Sequence, residues 1–248
     1  MKIIICGALG KMGTKIRELA GAEGITPVCG VDLKETNINE FHVYDGFGKI
    51  TEKADAVIDF SSKTTLPALL DFCIKTKTPA VLCSTGYGET ELAAIEKTGE
   101  KIAIFRSANM SLGVNVLIEA VKFAAARLYD FDIEIIEKHH NKKADAPSGT
   151  AIMIKDGIKE ILPDKTEVYG RQGMIGARDK KEIGIHAVRG GTIVGDHQVI
   201  FAGNNETLTF THQAESRDVF AAGALKAAAF IANKKRGLYD MKDLLSNA

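Results

Sequence analysis

The first 110 residues alternate between short apolar runs and amphipathic stretches. Residues 3–6 form an unbroken apolar run that ends at a glycine, a pattern typical of a strand buried on both faces of a sheet. By the same criteria, further strands are predicted at 26–31, 56–60, 80–83 and 102–105. Helices are predicted between the strands at 11–20, 65–75 and 89–98. Repeated strand–helix units of this length predict an α/β fold with a doubly wound parallel sheet.

The pattern changes after residue 110. An amphipathic helix is predicted over about 114–128, and an alternating strand follows at 131–138. Ser148 has the character of an N-cap residue and predicts a helix that runs to about residue 161. Three strands joined by glycine-containing turns at 190–191 and 203–205 are then predicted at 183–189, 192–202 and 206–213. Such a succession predicts an antiparallel or mixed sheet, before a final alanine-rich helix at about 217–233.

Composition and charge narrow the class of protein. The chain has 248 residues, of which 45% are hydrophobic, with 32 basic and 32 acidic side chains. This composition is globular, and the zero net charge without a basic–aromatic pattern disfavours a nucleic-acid binder. Four cysteines without CxxC spacing are expected to be reduced and buried, as in cytoplasmic proteins. No apolar run approaches the ~20 residues of a membrane span, and no signal-peptide core follows the start. We expect a cytoplasmic protein.

A glycine-rich turn follows the first predicted strand. Residues 7–13 read GALGKMG, a GxxGxxG spacing that differs by one residue from the common GxGxxG. Glycines let the backbone approach a pyrophosphate, whose charge is stabilised by N–H groups at the start of the next helix. Asp32 ends the second predicted strand, where a carboxylate can bind adenosine ribose hydroxyls. The alternative is a glycine turn without a ligand, but strand, helix and acidic residue together favour a Rossmann-like dinucleotide site.

Two further strand ends are expected at the same edge of the sheet. They read Cys83-Ser84-Thr85-Gly86 and Ser107-Ala108-Asn109-Met110. Ligands of an open parallel sheet lie beyond the carboxyl ends of its strands, where small polar residues can contact a nicotinamide and its ribose. Considered alone, each segment is better explained by ordinary turn chemistry.

A cation-rich loop joins a predicted strand to the helix capped by Ser148. Residues 137–150 read EKHHNKKADAPSGT and contain two histidines and three lysines. An anionic substrate would find these cations and the helix N–H groups of Gly149 and Thr150, and histidine is well suited to act as a general acid near neutral pH. The alternatives are a solvated basic loop and histidines that only pack. A metal site is disfavoured because His139 and His140, as consecutive strand residues, would point to opposite faces.

These motifs resemble the 4-hydroxy-tetrahydrodipicolinate reductase family, also called dihydrodipicolinate reductases, of bacterial lysine biosynthesis. The stretch HHNKKADAPSGTA matches the family signature HHxxKxDAPSGTA, and the opening GALGKMG, the STGY turn and SANMSLGVN match as well. So do EIGIHAVRGGTIVGDHQVIFAG, THQAESRDVFAAGAL and GLYDMKDLL. The resemblance covers almost the whole chain.

The resemblance implies an oxidoreductase that uses NADH or NADPH. The family reduces 4-hydroxy-tetrahydrodipicolinate to tetrahydrodipicolinate with loss of water, in diaminopimelate and lysine biosynthesis, so the expected partner is a small dicarboxylate substrate. The resemblance also implies a cytoplasmic homotetramer of two-domain subunits. Residues 1–110 and 214–248 would form the dinucleotide-binding domain, because the C-terminal segment returns to it, and residues 111–213 the substrate-binding and oligomerisation domain.

The resemblance also implies roles for individual residues. His139 falls on the family's general acid, and Lys143 on its proton-donating lysine, which also contacts substrate. His140, Gly149 and Thr150 fall on substrate contacts, and no metal is implied. The residues that fall on nucleotide contacts are Gly7, Ala8, Leu9, Gly10, Lys11, Met12, Asp32, Cys83, Ser84, Thr85, Ser107, Ala108, Asn109 and Met110.

Two residues depart from the family pattern and bear on the cofactor. Cys83 stands where many members have glycine, and Asp32 stands where the acidic residue is often glutamate. Asp32 favours NADH because a carboxylate repels a 2′-phosphate, whereas Lys34 is near enough in sequence to reach that phosphate. The prediction is dual use with a modest NADH preference. Two other functions stay open on the residues alone: a dehydrogenase for an amino-acid semialdehyde, and a nucleotide sensor without turnover.

Overall fold

The chain divides into two compact units. The computed structural model describes residues 1–246. Among these residues, 1–112 and 217–246 form the first unit, and 113–216 form the second. These divisions lie two or three residues from the domain limits predicted at 110 and 214. Residues 247 and 248, which the predicted C-terminal limit includes, lie outside the described residues.

The helices and strands follow one another in the order expected of alternating units that lead into a strand-rich region. The strands are β1 (Lys2–Cys6), β2 (Thr26–Val31), β3 (Thr36–Ile38), β4 (Phe41–Tyr44), β5 (Ala56–Asp59), β6 (Ala80–Leu82), β7 (Ala103–Arg106), β8 (Asp132–His139), β9 (Thr166–Tyr169), β10 (Glu182–Arg189), β11 (Gly195–Ala202), β12 (Thr207–Ala214) and β13 (Gly237–Tyr239). The helices are α1 (Lys11–Ala20), α2 (Leu66–Thr76), α3 (Glu89–Gly99), α4 (Leu112–Ala125), α5 (Gly149–Ile161), α6 (Asp218–Ile231) and α7 (Met241–Leu245). No described helix is long and apolar enough to cross a membrane.

The first unit contains a sheet in the order β13-β7-β6-β5-β1-β2-β4-β3. Its pairings are parallel except for the antiparallel pair β3 and β4. Alternate residues of β1 enter different cores: Ile3 packs in a cluster with Ile16 of α1 and the alanines of α6, whereas Ile4 packs with Leu69 of α2 and Ile95 of α3. Helices therefore cover both faces of β1, which explains its continuous apolar sequence.

The second unit contains a mixed sheet in the order β12-β11-β8-β10-β9. β8 is parallel to β10 and antiparallel to β11. Side chains of β8 alternate between buried and half-buried, and Ile133 and Ile135 enter a core with Val121 of α4 and Ile154 of α5. One face of β8 thus points into the core, which brings the polar residues further along that same face into a buried position.

The structure confirms the predicted fold class but corrects one connection. The turn at Gly190-Gly191 does not join neighbouring strands, because β8 lies between β10 and β11. The turn bonds back to the loop after β8 instead: the Gly190 N–H donates to the His139 carbonyl at 2.9 Å, and the Asn141 N–H donates to the Gly191 carbonyl at 3.2 Å. β11 therefore begins at Gly195, three residues later than predicted at 192.

The elements that the sequence pattern does not predict are short. They are β3, β4, β9, β13 and α7. Strands of three or four residues have too few positions for alternation to emerge, and they form because a neighbouring strand supplies hydrogen-bonding partners. β13 pairs in parallel with β7, so the C-terminal segment extends the sheet of the first unit.

Candidate active site

Two glycines shape the turn between β1 and α1. Gly7 has φ of +79°, which favours glycine, and a Cβ there would lie 2.7 Å from the Phe60 carbonyl oxygen. A Cβ on Gly13 would lie 2.3 Å from the Gly7 carbonyl oxygen, so the first turn of α1 packs directly on the loop. Within the described chain, no side chain caps α1 at its N-cap residue Gly10. The N–H groups of the first helical turn are therefore available to an anion.

The Asp32 carboxylate lies beside this turn. It accepts hydrogen bonds from the Leu9 N–H at 2.8 Å and from the Leu33 N–H at 2.7 Å. The Gly7 N–H donates to the Val31 carbonyl at 2.9 Å, which fastens the turn to the end of β2. A carboxylate fixed in this way is placed to accept hydrogen bonds from ribose hydroxyls.

A cavity of about 590 Å³ opens at this edge of the first unit. Its lining includes Gly7, Leu9, Gly10, Asp32, Leu33, Asp45, Phe47, Ser61 and Ser62. Glycine backbone, carboxylates and an apolar wall fit the adenosine and pyrophosphate portions of a pyridine nucleotide. Of the predicted nucleotide contacts, Ala8 is fully buried beneath the turn. Lys11 and Met12 begin α1.

The other predicted nucleotide contacts lie at neighbouring strand ends of the same sheet. Cys83 follows β6 and is buried, and burial raises the pKa of its thiol well above the usual value, so it is a packing residue rather than a nucleophile. The Ser84 hydroxyl donates to the buried Asp59 carboxylate at 2.9 Å. Thr85 and Ala108 are exposed, whereas Met110 is buried in the core beside α6.

The turn after β7 is organised by its own polar groups. The Ser107 hydroxyl donates to the Asn109 carbonyl at 2.7 Å, and the Asn109 side-chain oxygen accepts from the Ser111 N–H at 2.8 Å. These bonds hold the backbone in a tight turn at the carboxyl edge of the sheet, two strands from β5.

In the second unit, a fully buried carboxylate lies at the end of β8. The Glu137 side chain is 0% exposed, and Arg189 of β10 donates to both of its oxygens at 2.7 Å. The Ser148 N–H donates to Oε1 at 2.9 Å. Burial by itself would raise the pKa of Glu137, but the hydrogen bonds from Arg189, His139 and Ser148 outweigh it and lower that pKa. Glu137 is therefore an ionised group that only accepts hydrogen bonds.

His139 is the next residue on this face of β8. Its Nδ1 lies 2.6 Å from Glu137 Oε2. Its ring packs edge to face against His197 of β11, with ring centres 5.2 Å apart. His197 Nε2 lies 3.1 Å from the Ser148 hydroxyl oxygen, which also accepts from the Ala151 N–H at 3.2 Å. Burial and then the charge of His139 lower the pKa of His197 to about 4, so His197 is neutral near pH 7.

The predicted substrate contacts lie in the loop that follows and at the start of α5. His140 is half-buried, and its Nδ1 has no hydrogen-bonding partner within the described residues. Lys143 Nζ pairs with the Asp145 carboxylate at 2.8 Å. Gly149 and Thr150 are the first two residues of α5, and Ser148 caps this helix as predicted.

Three charged or polar residues in this cluster were not predicted from the sequence: Glu137, Arg189 and His197. Glu137 had a signal, since it shares a face of β8 with Ile133 and Ile135 and is therefore a charged residue at a core position. Arg189 and His197 had none, because only the pairing of β10 and β11 with β8 brings them together. In the described part of the chain, no group of three histidine, cysteine or acidic side chains is placed to hold a metal ion.

Comparison with known proteins assigns the family. Two family models match, described as dihydrodipicolinate reductase N-terminus over residues 1–110 and C-terminus over residues 113–245. The 4-hydroxy-tetrahydrodipicolinate reductase of Caldanaerobacter subterraneus is 53% identical over 247 residues, covering 99% of this chain and 98% of that protein. The chain belongs to the dihydrodipicolinate reductase family. The predicted family and its oxidoreductase class are thereby confirmed.

Other members of this reductase family match at full length too. The 4-hydroxy-tetrahydrodipicolinate reductase of Clostridium tetani is 48% identical, covering 100% of this chain and 98% of that protein. Among solved structures, a dipicolinate-bound dihydrodipicolinate reductase from Paenisporosarcina sp. TG-14 aligns with a TM-score of 0.82 at 24% identity, covering 97% of each chain. A probable dehydrogenase from Thermotoga maritima aligns with a TM-score of 0.59 at 14% identity, covering 98% of this chain and 92% of that one. At these levels of identity, the two structural matches show a similar fold.

Proposed function

We propose that this chain reduces 4-hydroxy-tetrahydrodipicolinate to tetrahydrodipicolinate with a pyridine nucleotide, in diaminopimelate and lysine biosynthesis. The observation that carries the proposal is His139, which is held by a buried carboxylate and followed by Lys143 and the N-terminus of α5, in a chain that matches reductases of this name over its full length. The balanced reaction takes one hydride and one proton into the ring and releases one water.

The proposed division of labour follows the two units. When bound in the first unit, the dihydronicotinamide supplies the hydride. The glycine turn and the N-terminus of α1 hold the pyrophosphate, and Asp32 holds the ribose. In the second unit His139 supplies the ring proton through Nε2, since Nδ1 is engaged by Glu137. Residues 1–112 and 217–246 are thus proposed to bind nucleotide, and residues 113–216 to bind substrate.

The substrate carries two carboxylates, and the second unit offers groups of matching charge. Lys143 can release its exposed partner Asp145 and pair with a substrate carboxylate. Gly149 and Thr150 begin α5, where backbone N–H groups and the helix dipole stabilise an anion. His140 adds a half-buried ring whose Nδ1 has no hydrogen-bonding partner among residues 1–246. A related reductase that was solved with dipicolinate, an aromatic dicarboxylate, supports a ligand of this class.

The proposed cofactor preference is modest and favours NADH. Asp32 and Asp45 both line the cavity of the first unit, so a 2′-phosphate would meet two carboxylates. Lys49 pairs with Asp45 at 3.0 Å and with Glu35 at 2.5 Å, which leaves it partly neutralised. Lys34 is exposed and is not part of the cavity lining. Comparing kcat/KM for NADH and NADPH measures the preference.

A coupled assay tests the proposed reaction. The preceding condensation enzyme supplies fresh substrate, and the oxidation of NADH and NADPH is followed separately by absorbance. The expected result is substrate-dependent oxidation at kcat of the order of 1–10³ s⁻¹, a usual range for enzymes. A protein that binds NADH but gives no substrate-dependent oxidation would be the nucleotide sensor considered above, and oxidation with amino-acid semialdehydes instead would assign the other dehydrogenase.

We also propose a cytoplasmic homotetramer. The support is the family resemblance together with the face of the second sheet that lies opposite α4 and α5, where Ile136, Gln198 and Ile200 are half-buried in the single chain. Light scattering on purified protein measures the mass, and a value near that of a single 26.7 kDa chain would contradict the proposal.

A further inference from the structure

We propose that Glu137 is a positioning residue for His139: it fixes the proton on Nδ1 and thereby presents Nε2 to the substrate. The proposal rests on the proposed function, because it assigns to His139 the role of acid. The role is indirect: in the described chain Glu137 is fully buried and acts through its neighbour on the same strand.

Glu137 can only accept hydrogen bonds. Arg189 donates two parallel hydrogen bonds, one to each carboxylate oxygen, and the Ser148 N–H donates a third. Such a bidentate pair holds the carboxylate ionised although its side chain is fully buried. An ionised carboxylate has no proton to give, so the atom 2.6 Å from its Oε2, His139 Nδ1, carries the hydrogen.

The other ring nitrogen of His139, Nε2, lies beside Gly195. With Nδ1 committed to Glu137, Nε2 is the nitrogen left for chemistry. A Cβ on Gly195 of β11 would lie 3.0 Å from Nε2, so a glycine leaves open the space beside this atom. The geometry therefore engages Nδ1 with a carboxylate and leaves Nε2 beside a glycine, where no side chain blocks it.

The groups around the His139 ring differ in charge. Arg189 on β10 and Lys143 in the following loop are cations, and His197 on β11 is neutral. Asp145 is neutralised by Lys143, and its backbone carbonyl accepts from Arg189. Glu137 is thus the buried anion in direct contact with the ring, and its hydrogen bond to Nδ1 fixes the orientation of the ring.

The same strand provides a matched control. Glu134 lies on the opposite face of β8, where Arg171 donates to both of its oxygens at 2.9 Å and His186 Nε2 lies 2.7 Å away. Glu134→Gln therefore removes the same charge from the same kind of Glu–Arg–His group on the same strand. The two groups differ in their other contacts: Glu137 is fully buried and binds His139 and the Ser148 N–H, whereas Glu134 is 20% exposed and also accepts from Arg178.

The experiment compares Glu137→Gln with Glu134→Gln in the full-length protein. Glutamine keeps the shape but must turn an N–H₂ toward either His139 or Ser148, so we expect kcat to fall about 10²-fold or more, as when an acid–base histidine loses its orienting carboxylate. NADH affinity, measured by fluorescence titration, should stay within about twofold of the wild-type value. The loss in Glu137→Gln should appear in kcat rather than in KM for substrate, and Glu134→Gln should change neither.

Nitrogen NMR supplies a readout that needs no turnover. In wild-type protein labelled with ¹⁵N-histidine, the neutral His139 ring, identified by its loss in His139→Ala, should carry its proton on Nδ1. This measurement stands even if Glu137→Gln does not fold, and a proton on Nε2 would overturn the proposal. So would a folded Glu137→Gln protein whose kcat matches that of Glu134→Gln. Failure of the wild-type coupled assay would instead reject the proposed reaction, while the NMR result would still decide whether Glu137 orients His139.

Discussion

The two units build their candidate sites by different means. In the first unit the site is made of backbone: close packing at Gly7 and Gly13, the uncapped start of α1, and a carboxylate that accepts from main-chain N–H groups. In the second unit the site is made of side chains from β8, β10 and β11. The pairing of these strands brings Glu137, Arg189 and His197 together. The first arrangement suits holding a phosphate, and the second suits holding a proton.

This difference predicts that substitutions in the two units fail in different ways. Damage to the second site should lower turnover while nucleotide binding persists. Damage to the first should weaken nucleotide binding or the fold while turnover at saturating cofactor persists. The variants below are ordered from the largest expected effect to the smallest.

His139→Ala should have the largest effect. It removes the proposed acid, and kcat should fall by about 10²–10⁴-fold, the usual scale for such a loss. NADH affinity should be unchanged, because His139 belongs to the second unit. His186→Ala is the control, since that histidine lies on the other face of the same sheet beside Glu134. A rate within about twofold of wild type would mean that another group donates the proton.

Lys143→Ala should have the next largest effect. Its ammonium is proposed to pair with substrate, and a hydrogen bond to a charged group contributes about 1.5–3 kcal/mol, or roughly 10–10²-fold in kcat/KM for substrate. Lys142→Ala removes the same charge from an exposed neighbour and should change little. Steady-state kinetics at saturating NADH measure both. Equal losses in the two variants would mean that Lys143 contributes only as one of several basic surface residues and not through a specific contact with substrate.

Gly13→Ala tests the backbone site of the first unit. The added methyl group would lie 2.3 Å from the Gly7 carbonyl oxygen, so the turn must shift. Overpacking of this kind costs about 1–3 kcal/mol in the free energy of unfolding, and the shifted turn should also bind NADH more weakly. Gly21→Ala is the control because a Cβ there meets nothing within 4 Å. Thermal unfolding and NADH titration measure both effects, and unchanged NADH binding in Gly13→Ala would remove the turn from the nucleotide site.

The smallest expected effect is on cofactor preference. Lys34→Ala should change kcat/KM for NADPH by at most about fivefold, because an exposed ion pair contributes at most about 1 kcal/mol. Asp32→Asn should shift the preference toward NADPH by about tenfold, the equivalent of ~1.4 kcal/mol. A strong NADPH preference that collapses in Lys34→Ala would show that the lysine outweighs Asp32. A strong NADPH preference that persists in Lys34→Ala would mean that the ribose-binding site lies elsewhere.

The contrast between the sites also explains what sequence reasoning can reach. The glycine turn and the Ser148 cap are local, so a few adjacent residues predict them, and the structure places both where they were expected. Glu137 and Arg189 lie 52 residues apart, and their contact depends on β10 pairing with β8. The pattern of short turns favoured pairing β10 with β11 instead, and it gave no indication that β8 pairs with β10. Local motifs can therefore be predicted from a single sequence, whereas strand order depends on packing between distant segments.

The most direct test of the account is the fate of the transferred hydrogen. Reductase is supplied with fresh 4-hydroxy-tetrahydrodipicolinate and with NADH that carries deuterium at both C4 positions, and the product is analysed by mass spectrometry. The account predicts tetrahydrodipicolinate that contains one deuterium, formed in step with NADH oxidation, and almost no product from His139→Ala despite normal NADH binding. Product without deuterium, or NADH that stays reduced in the presence of substrate, would contradict it.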